Sequence, residues 1–187
     1  MPDNYTIRPC RADDLETMRE ICIETSSLPL NDEKDRRLLL LMFCDSYAEY
    51  GKCFVAVDEA DQPVGYILCA ENTRLFFKDF RKHILPQTAE LGFKYSLEAR
   101  GMVFLHKLCV VFAPSHLHID LTKSARGQGV GTKLMNALKN HLAAQNIKRV
   151  QLTCSSGNKS AIGFYKKNGF KTVFRGFGSC VMKYDIK

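Results

Sequence analysis

Apolar and polar positions recur with two different periods along the chain, and these periods divide it into strands and helices. Strict alternation is typical of a half-buried strand, whereas recurrence about every 3.6 residues is typical of an amphipathic helix. The pattern predicts strands at residues 5–10, 53–58, 64–70, 115–122, 149–155, 171–175 and 179–186, and helices at residues 12–26, 32–50, 129–145 and within 158–170. We expect residues 71–108 to form a mostly helical insertion. The chain is therefore predicted to be one mixed α/β domain over residues 1–187.

One predicted strand runs directly into three closely spaced glycines and then into a helix. Glycine inside a helix costs roughly 0.5–1 kcal/mol relative to alanine, so Gly127, Gly129 and Gly131 indicate that some group approaches the backbone closely. The free amides of a first helical turn and the helix dipole favour an anion there. The dinucleotide fingerprint and the P-loop both require glycine where this chain has Thr132. What remains is an arginine–x–x–glycine–x–glycine motif that begins at Arg126.

Charge is distributed unevenly along the chain, whose net charge is +7. Residues 1–108 carry 14 basic and 18 acidic residues, whereas residues 109–187 carry 13 basic and 2 acidic residues. A basic half fits an anionic partner, either a nucleic acid or a phosphorylated cofactor, although a solvated basic face would have the same composition. The chain has no helix-turn-helix pattern, and its basic residues are not interleaved with exposed aromatic residues. Nucleic acid is therefore not the expected partner.

No targeting or membrane-spanning segment is expected from the pattern. The longest apolar run, residues 38–43, is far shorter than the roughly 20 residues of a spanning helix. The N-terminal residues lack a basic region followed by an apolar stretch, so we expect a cytoplasmic protein. The eight cysteines lie in apolar neighbourhoods without a C-x-x-C pair, and we expect buried thiols instead of disulfides or zinc ligands.

The motif that begins at Arg126 has a second sequence signal downstream of it, namely Asn158 followed by the helix "AIGFYKKNGF". Together they resemble the GNAT superfamily of acyl-CoA-dependent N-acyltransferases, and "IRPCRADDLETM" is similar to that family's first strand and helix. The resemblance is loose over residues 5–70 and close over residues 115–185. It implies a mostly antiparallel twisted sheet with a parallel, splayed strand pair at the acyl-CoA cleft and helices on both faces. It also implies acetyl-CoA (coenzyme A) as the cofactor and an amine as the acceptor.

The resemblance also implies a role for each matching residue. The implied cofactor-binding residues are Ile119, Leu121, Arg126, Gly127, Gln128, Gly129, Val130, Gly131, Thr132 and Asn158. Backbone amides of the glycine turn would hold the pyrophosphate with Arg126 beside it, and the main chain of Ile119 and Leu121 would bind the pantetheine arm. Asn158 would contact the cofactor. Tyr165 would point at its sulfur as a proton donor, although an aromatic residue on a short helix is more often part of a core.

Alternation places His116, His118 and Asp120 on one face of their strand. They could be satisfied polar residues at a sheet surface. A metal site is the second interpretation, because H-x-H-x-D resembles a string of zinc ligands, but the other histidines show no suggestive spacing and we expect no metal. In the third interpretation Asp120 or His118 is the general base, because an ammonium must lose a proton before it can attack a thioester.

These signals together predict an N-acetyltransferase that acts by direct attack in a ternary complex, without a covalent enzyme intermediate. The Leu121 amide would stabilise the negative charge that develops on the carbonyl oxygen. "SHLHIDL" followed by the glycine turn is also similar to bacterial proteins that resemble the acetyltransferase-like domain of O-GlcNAc hydrolases. That domain is not always active, so a non-catalytic acyl-CoA-binding module, a sensor or scaffold, is the alternative function.

The acceptor itself is predicted only by class. The insertion is rich in aromatic residues, which are Phe76, Phe77, Phe80, Phe93, Tyr95 and Phe104. Because this half of the chain is also acidic, we expect a cationic or amino-sugar-like acceptor that is held between aromatic faces and the Asp120 carboxylate. The sequence leaves the oligomeric state open between monomer and homodimer.

Overall fold

A computed structural model describes residues 4–187, with the side chains of residues 106–109 excepted. The strands are β1 (Thr6–Pro9), β2 (Lys52–Val57), β3 (Pro63–Ala70), β4 (Ser115–Leu121), β5 (Arg149–Ser155), β6 (Lys171–Gly176) and β7 (Ser179–Asp185). The helices are α1 (Leu15–Thr25), α2 (Glu33–Leu40), α3 (Ser46–Tyr50), α4 (Thr73–Asp79), α5 (Leu85–Leu91), α6 (Phe93–Cys109), α7 (Val130–Ala144) and α8 (Lys159–Lys167). Turns of π-helix at Leu41–Asp45 and Phe80–Ile84 join α2 to α3 and α4 to α5, and 3₁₀ turns cover Ala12–Asp14 and Lys123–Ala125.

The seven strands form one sheet in the order β1-β2-β3-β4-β5-β7-β6. Five neighbouring pairs are antiparallel, and β4 and β5 are parallel. This arrangement confirms the predicted mixed α/β fold, in which a mostly antiparallel sheet contains one parallel strand pair. Chain connectivity accounts for that pair, because the glycine turn and α7 form the crossover that a parallel connection requires.

Alternation along the central strands divides the apolar residues between the two faces of the sheet. On β3, Tyr66 and Leu68 belong to the core formed with helices α1 to α6, whereas Ile67 and Cys69 belong to the core formed with α7 and α8. All four residues are fully buried. Helices therefore cover both faces of the sheet, as predicted, and β3 and the first three residues of β4 lie at its centre with little access to solvent.

The described cysteines are thiols, and no described helix could span a membrane. Seven cysteines with described side chains are free thiols, and five of these are buried; Cys109 is among the residues whose side chains are not described. In the described ranges, every helix is too short or too polar to cross a membrane.

Asp14 links the first strand to the first helix. Its carboxylate is 5% exposed and accepts two hydrogen bonds from the Arg8 guanidinium, at 2.7 and 2.8 Å, and a third from the Arg11 amide. The hydrogen bonds from Arg8 are the main cause that lowers the pKa of Asp14 below its ordinary value. Arg8 is also largely buried, so the two charges depend on each other.

Asp14→Asn is expected to lower the free energy of unfolding by about 2–3 kcal/mol at neutral pH, because it leaves the buried Arg8 guanidinium without its main partner. The folded-state pKa of Asp14 is lowered, so its contribution is present above the unfolded-state pKa and is lost as the pH falls through the folded-state value. Urea unfolding at neutral pH and at about pH 2 measures both effects. Asp13→Asn, at an exposed neighbour, is the control and should change stability by less than about 0.5 kcal/mol.

Candidate active site

The parallel strands β4 and β5 lie side by side only where they begin. Their ladder consists of Ser115 with Val150 and His116 with Gln151. Beyond these pairs, and within the described strands, β4 continues to pair with β3 and β5 continues to pair with β7. The two strands therefore separate toward their carboxyl ends. We call the opening between residues 117–121 and residues 152–155 the splay.

Backbone polar groups of β4 face the splay. The Thr122 amide donates to the carbonyl of Val64 on β3 at 2.9 Å. Because the polar groups of successive strand residues point to opposite edges, those of Ile119 and Leu121 point away from β3 and into the splay. The Leu121 carbonyl there accepts a hydrogen bond from Nε of Arg126 at 3.1 Å. The amides of Ile119 and Leu121 thus face an opening in which an extended ligand could accept their hydrogen bonds.

The turn at the end of β4 requires glycine at two positions for backbone reasons. Gly127 and Gly129 have φ values of +78° and +81°, in the left-handed region where other residues are strained. A Cβ atom on either would meet no described atom within 4 Å, so the space beside the turn is open. The amides of Val130 and Gly131 have no acceptor inside α7, whereas the Thr132 amide donates to the Gly129 carbonyl at 3.0 Å. An open helix start with free amides suits a phosphate group.

The third glycine, Gly131, is required by packing inside the protein. A Cβ atom at this position would lie 3.0 Å from the Phe164 ring and 3.1 Å from Cδ1 of Leu121. Glycine here lets the start of α7 pack closely against α8 and β4. The sequence attributed all three glycines to the approach of a ligand, but the close contact at Gly131 is internal.

Arg126 and Gln128 are exposed, and their side chains bond to the turn itself. Arg126 reaches back to the Leu121 carbonyl, and Nε2 of Gln128 donates to the Ser124 carbonyl. Asn158 begins α8, and its Oδ1 atom accepts a hydrogen bond from the Ala161 amide at 3.0 Å. Helix capping therefore accounts for an asparagine at position 158 whether or not a ligand contacts it.

Tyr165 lies on α8 with only 9% of its surface exposed. Its ring contacts Phe164 and Phe170, and its hydroxyl has no hydrogen-bond partner in the described part of the chain. Burial is the main cause that raises the pKa of Tyr165, followed by the nearby Cys154 thiol on β5 and Asp120 carboxyl on β4. The phenol is thus protonated at neutral pH and lies near both strands that border the splay.

The three polar residues of β4 share one face of the sheet, but their surroundings differ. His116 is 3% exposed, and its Nε2 and Nδ1 atoms lie 2.6 Å from the Tyr47 hydroxyl and 2.8 Å from the Thr73 hydroxyl. A buried histidine with both nitrogens bonded fits a structural role. The His118 ring packs edge-on against Phe43 and Tyr47, at centroid distances of 5.3 and 5.0 Å.

Asp120 is partly buried and accepts a hydrogen bond from the Tyr66 hydroxyl at 2.9 Å. Burial raises the pKa of Asp120, and the hydrogen bond from Tyr66, the nearby Thr25 hydroxyl and the charge of Arg126 oppose that rise. A carboxylate with a raised pKa is a stronger base than an exposed one. The role of Tyr66 could not be predicted from the sequence, because its position opposite Asp120 depends on the strand register.

The aromatic residues between β3 and β4 divide into two groups. Phe76, Phe77 and Phe80 are at most 3% exposed and belong to the core, so they cannot form the open acceptor face expected from the sequence. Phe93 and Phe104 are exposed. Among residues with described side chains, no three His, Cys, Asp or Glu residues form a group suited to a metal ion.

Comparisons with known proteins agree with this geometry. The crystal structure of SsHAT has a TM-score of 0.86 and 25% sequence identity, and the match covers 98% of this chain and 99% of SsHAT. Two further crystal structures share the fold. The ribosomal-protein-S18-alanine N-acetyltransferase from Escherichia coli has 14% sequence identity and a TM-score of 0.61, and the match covers 98% of this chain and 94% of that protein. Ard1 from Thermoplasma volcanium has 19% identity and a TM-score of 0.59, and the match covers 98% of this chain and 99% of Ard1. The family model described as "Acetyltransferase (GNAT) family" matches residues 15–170. The chain therefore belongs to the GNAT acetyltransferase family.

Proposed function

We propose that this protein transfers the acetyl group of acetyl-CoA to the primary amine of an acceptor by direct attack in a ternary complex. One observation carries the proposal: three features meet at the splay. They are the free backbone edge of β4, the open glycine turn at its end and the hydroxyl of Tyr165, a residue that is 9% exposed. Membership of the GNAT family supports acetyl-CoA as the donor.

The residues at the splay fit the parts of acetyl-CoA. The pyrophosphate would accept hydrogen bonds from amides of the glycine turn, namely those of Gln128, Gly129, Val130 and Gly131. Thr132 contributes less than the sequence predicted, because its amide already donates to a carbonyl of the turn. The main chain of Ile119 and Leu121 would bind the pantetheine arm, and Arg126 would supply positive charge at the open side of Gly127. Asn158 would contact the ligand through its Nδ2 amine, because its Oδ1 atom caps α8.

The chemistry requires a base, an oxyanion donor and an acid. Bound acetyl-CoA supplies an activated acetyl thioester. Asp120 would take a proton from the ammonium directly or through water, with His118 on the same face as the second candidate. The Leu121 amide would donate to the carbonyl oxygen as negative charge develops on it. Tyr165 would donate to the departing sulfur, a role that suits a phenol that keeps its proton at neutral pH.

A small pocket beside His118 supports a cationic or amino-sugar-like acceptor. Its volume is about 140 Å³, and it lies between the α1–α2 connection, α2 and α6. Phe43 lines this pocket and also contacts the His118 ring, so the pocket adjoins the face of β4 that carries Asp120. Asp35 and Glu98 contribute two carboxylates to its wall and Lys94 contributes one ammonium group, so the acidic groups outnumber the basic one. The aromatic surface for the acceptor would therefore come from Phe43 instead of the buried phenylalanines of α4.

A non-catalytic acyl-CoA-binding module is the second candidate function. The hydrogen bond that Asp120 accepts from the Tyr66 hydroxyl favours it, because this bond satisfies part of the carboxylate within the fold. Similarity to the acetyltransferase-like domain of O-GlcNAc hydrolases, which first suggested such a module, stays a prediction. A cytoplasmic location and a single domain with an insertion at 71–108 also stay predictions.

A thiol-release screen with acetyl-CoA and a panel of amines tests the proposal, and Asp120→Asn tests the base. We expect this variant to turn over its best amine roughly 100-fold more slowly while CoA affinity stays within about twofold. Turnover by the parent should fall as the pH falls and Asp120 is protonated.

Tyr66→Phe provides a directional control for the same assignment. The Tyr66 hydroxyl opposes the rise in the pKa of Asp120, so removing it should raise this pKa further and move the acidic limb of the rate profile to higher pH. If the limb does not move, or if Asp120→Asn turns over as fast as the parent, Asp120 is not the base. A panel that releases no thiol, with CoA still bound, would favour the non-catalytic module.

A further inference from the structure

The outer face of α6 carries four uncovered apolar side chains. These exposed apolar residues are Phe93 (84% exposed), Leu97 (60%), Phe104 (61%) and Leu105 (60%). Together with Gly101 they follow each other at helical spacing and form one stripe, which we call the α6 stripe. On the opposite face Ala99 and Val103 are buried in the core beside α4 and α5. The helix is therefore apolar on two faces, and the protomer covers one of them.

Gly101, at the middle of the stripe, has no explanation within one protomer. A Cβ atom on Gly101 would meet no described atom within 4 Å, and its φ lies outside the left-handed region. Glycine in a helix interior is unfavourable relative to alanine, so neither packing nor backbone conformation requires it here. Absence of a side chain does allow a second helix to approach closely at this position.

We propose that the α6 stripe is the interface of a homodimer in which two copies of α6 cross in antiparallel orientation at Gly101. With the two Gly101 residues facing each other, Leu97 of each copy lies opposite Leu105 of the other, because both are four residues from the crossing point. The stripe is therefore complementary to itself, as a two-fold interface requires. Three exposed charged residues accompany the stripe in the described part of α6: helical spacing places Lys94 between Gly101 and Leu105, and it places Glu98 and Arg100 at the two borders.

The exposed apolar area reaches the lower limit for a specific interface. With about 200 Å² for a fully exposed side chain of this size, the four apolar residues present roughly 500 Å² in each copy. Association of two copies would remove roughly 1,000 Å² from water before flanking residues are counted, which is the size at which specific interfaces begin. A second copy thus accounts for the area of the stripe, its symmetry and the glycine at its centre.

Sedimentation velocity over protein concentrations from about 1 µM to 1 mM tests this dimer, and the parent is expected to be dimeric. Leu97→Arg, at an exposed position, should raise the dimer Kd roughly 100-fold or more, because two-fold symmetry introduces the charge twice. Gly101→Gln should also raise the Kd while the melting temperature of the protomer holds or rises, because glutamine is the better helix former. Phe177→Ser removes a fully exposed aromatic residue outside the stripe and should leave the Kd unchanged.

A parent that is monomeric throughout this range overturns the proposal and leaves the stripe to a different protein partner. A dimer that both stripe variants leave intact overturns it too, because the interface then lies elsewhere. Acetyl transfer plays no part in these measurements, so their outcome is independent of the proposed function.

Discussion

Tyr165→Phe is expected to lower turnover about 100-fold or more while leaving CoA affinity unchanged. The substitution keeps the ring that packs against Phe164 and Phe170, and it removes a hydroxyl that is hydrogen-bonded to no described residue. The substitution should therefore change folding stability little, whereas it removes the proposed proton donor to the departing sulfur. Thiol-release kinetics measure turnover, and calorimetry with CoA measures affinity.

Tyr184→Phe is the matched control for this variant. The Tyr184 ring also packs against the Phe170 ring, with the two centroids 5.5 Å apart. Tyr184 lies on β7, however, and not on α8, the helix that carries Tyr165. Its turnover should equal that of the parent. Equal turnover by Tyr165→Phe and the parent would mean that Tyr165 is a core residue only.

Gly129→Val is expected to abolish measurable CoA binding. The left-handed conformation at this position is strained for a β-branched residue, and the new side chain would enter the open space beside the turn where the pyrophosphate is proposed to bind. Gly129→Asn is a milder change, because asparagine tolerates a positive φ, and it should keep more stability yet still bind CoA weakly. Calorimetry gives the affinities, and thermal unfolding gives the stabilities.

Gly92→Val controls for strain alone. Gly92 also has a positive φ, +131°, and a Cβ atom there would meet only Cδ2 of Tyr95, at an ordinary contact distance of 3.8 Å, but it connects α5 to α6. This variant should lose stability and retain CoA affinity. Unchanged CoA affinity in Gly129→Val would contradict the assignment of the turn. Gly131 is unsuitable for this test, because a side chain there would disturb the contact with Phe164 inside the protein.

Local patterns allowed most elements of the fold to be predicted. On α7 the apolar period predicts five inward-facing residues, and four of them, Val130, Leu134, Leu138 and Leu142, are fully buried, whereas Ala137 is half-buried. This helix has one apolar stripe and a polar opposite face, so its apolar residues recur about every 3.6 positions. That recurrence is visible in a single sequence and predicts both the helix and its buried face. The same holds for the alternating strands, whose observed bounds differ from the predicted ones by a residue or two.

Features that depend on how elements meet could not be read from the sequence. Nothing in β4 or β5 indicates that their pairing stops after His116, or that Tyr66 lies opposite Asp120. Helices that are apolar on more than one side do not reveal which side is covered, so buried Phe76 and exposed Phe93 had the same sequence signal. The family resemblance supplied the cofactor and the residue roles, and these roles are still predictions about this chain.

The most direct test of the central claim is a single-turnover reaction in which enzyme in excess meets acetyl-CoA labelled in its acetyl group, together with the best amine. Mass spectrometry then follows the label over time. Direct transfer in a ternary complex predicts that the label moves from CoA to the acceptor nitrogen in one step and never to the protein. Label that accumulates on a protein side chain before it reaches the amine, or that stays on CoA with every amine tried, would contradict the account.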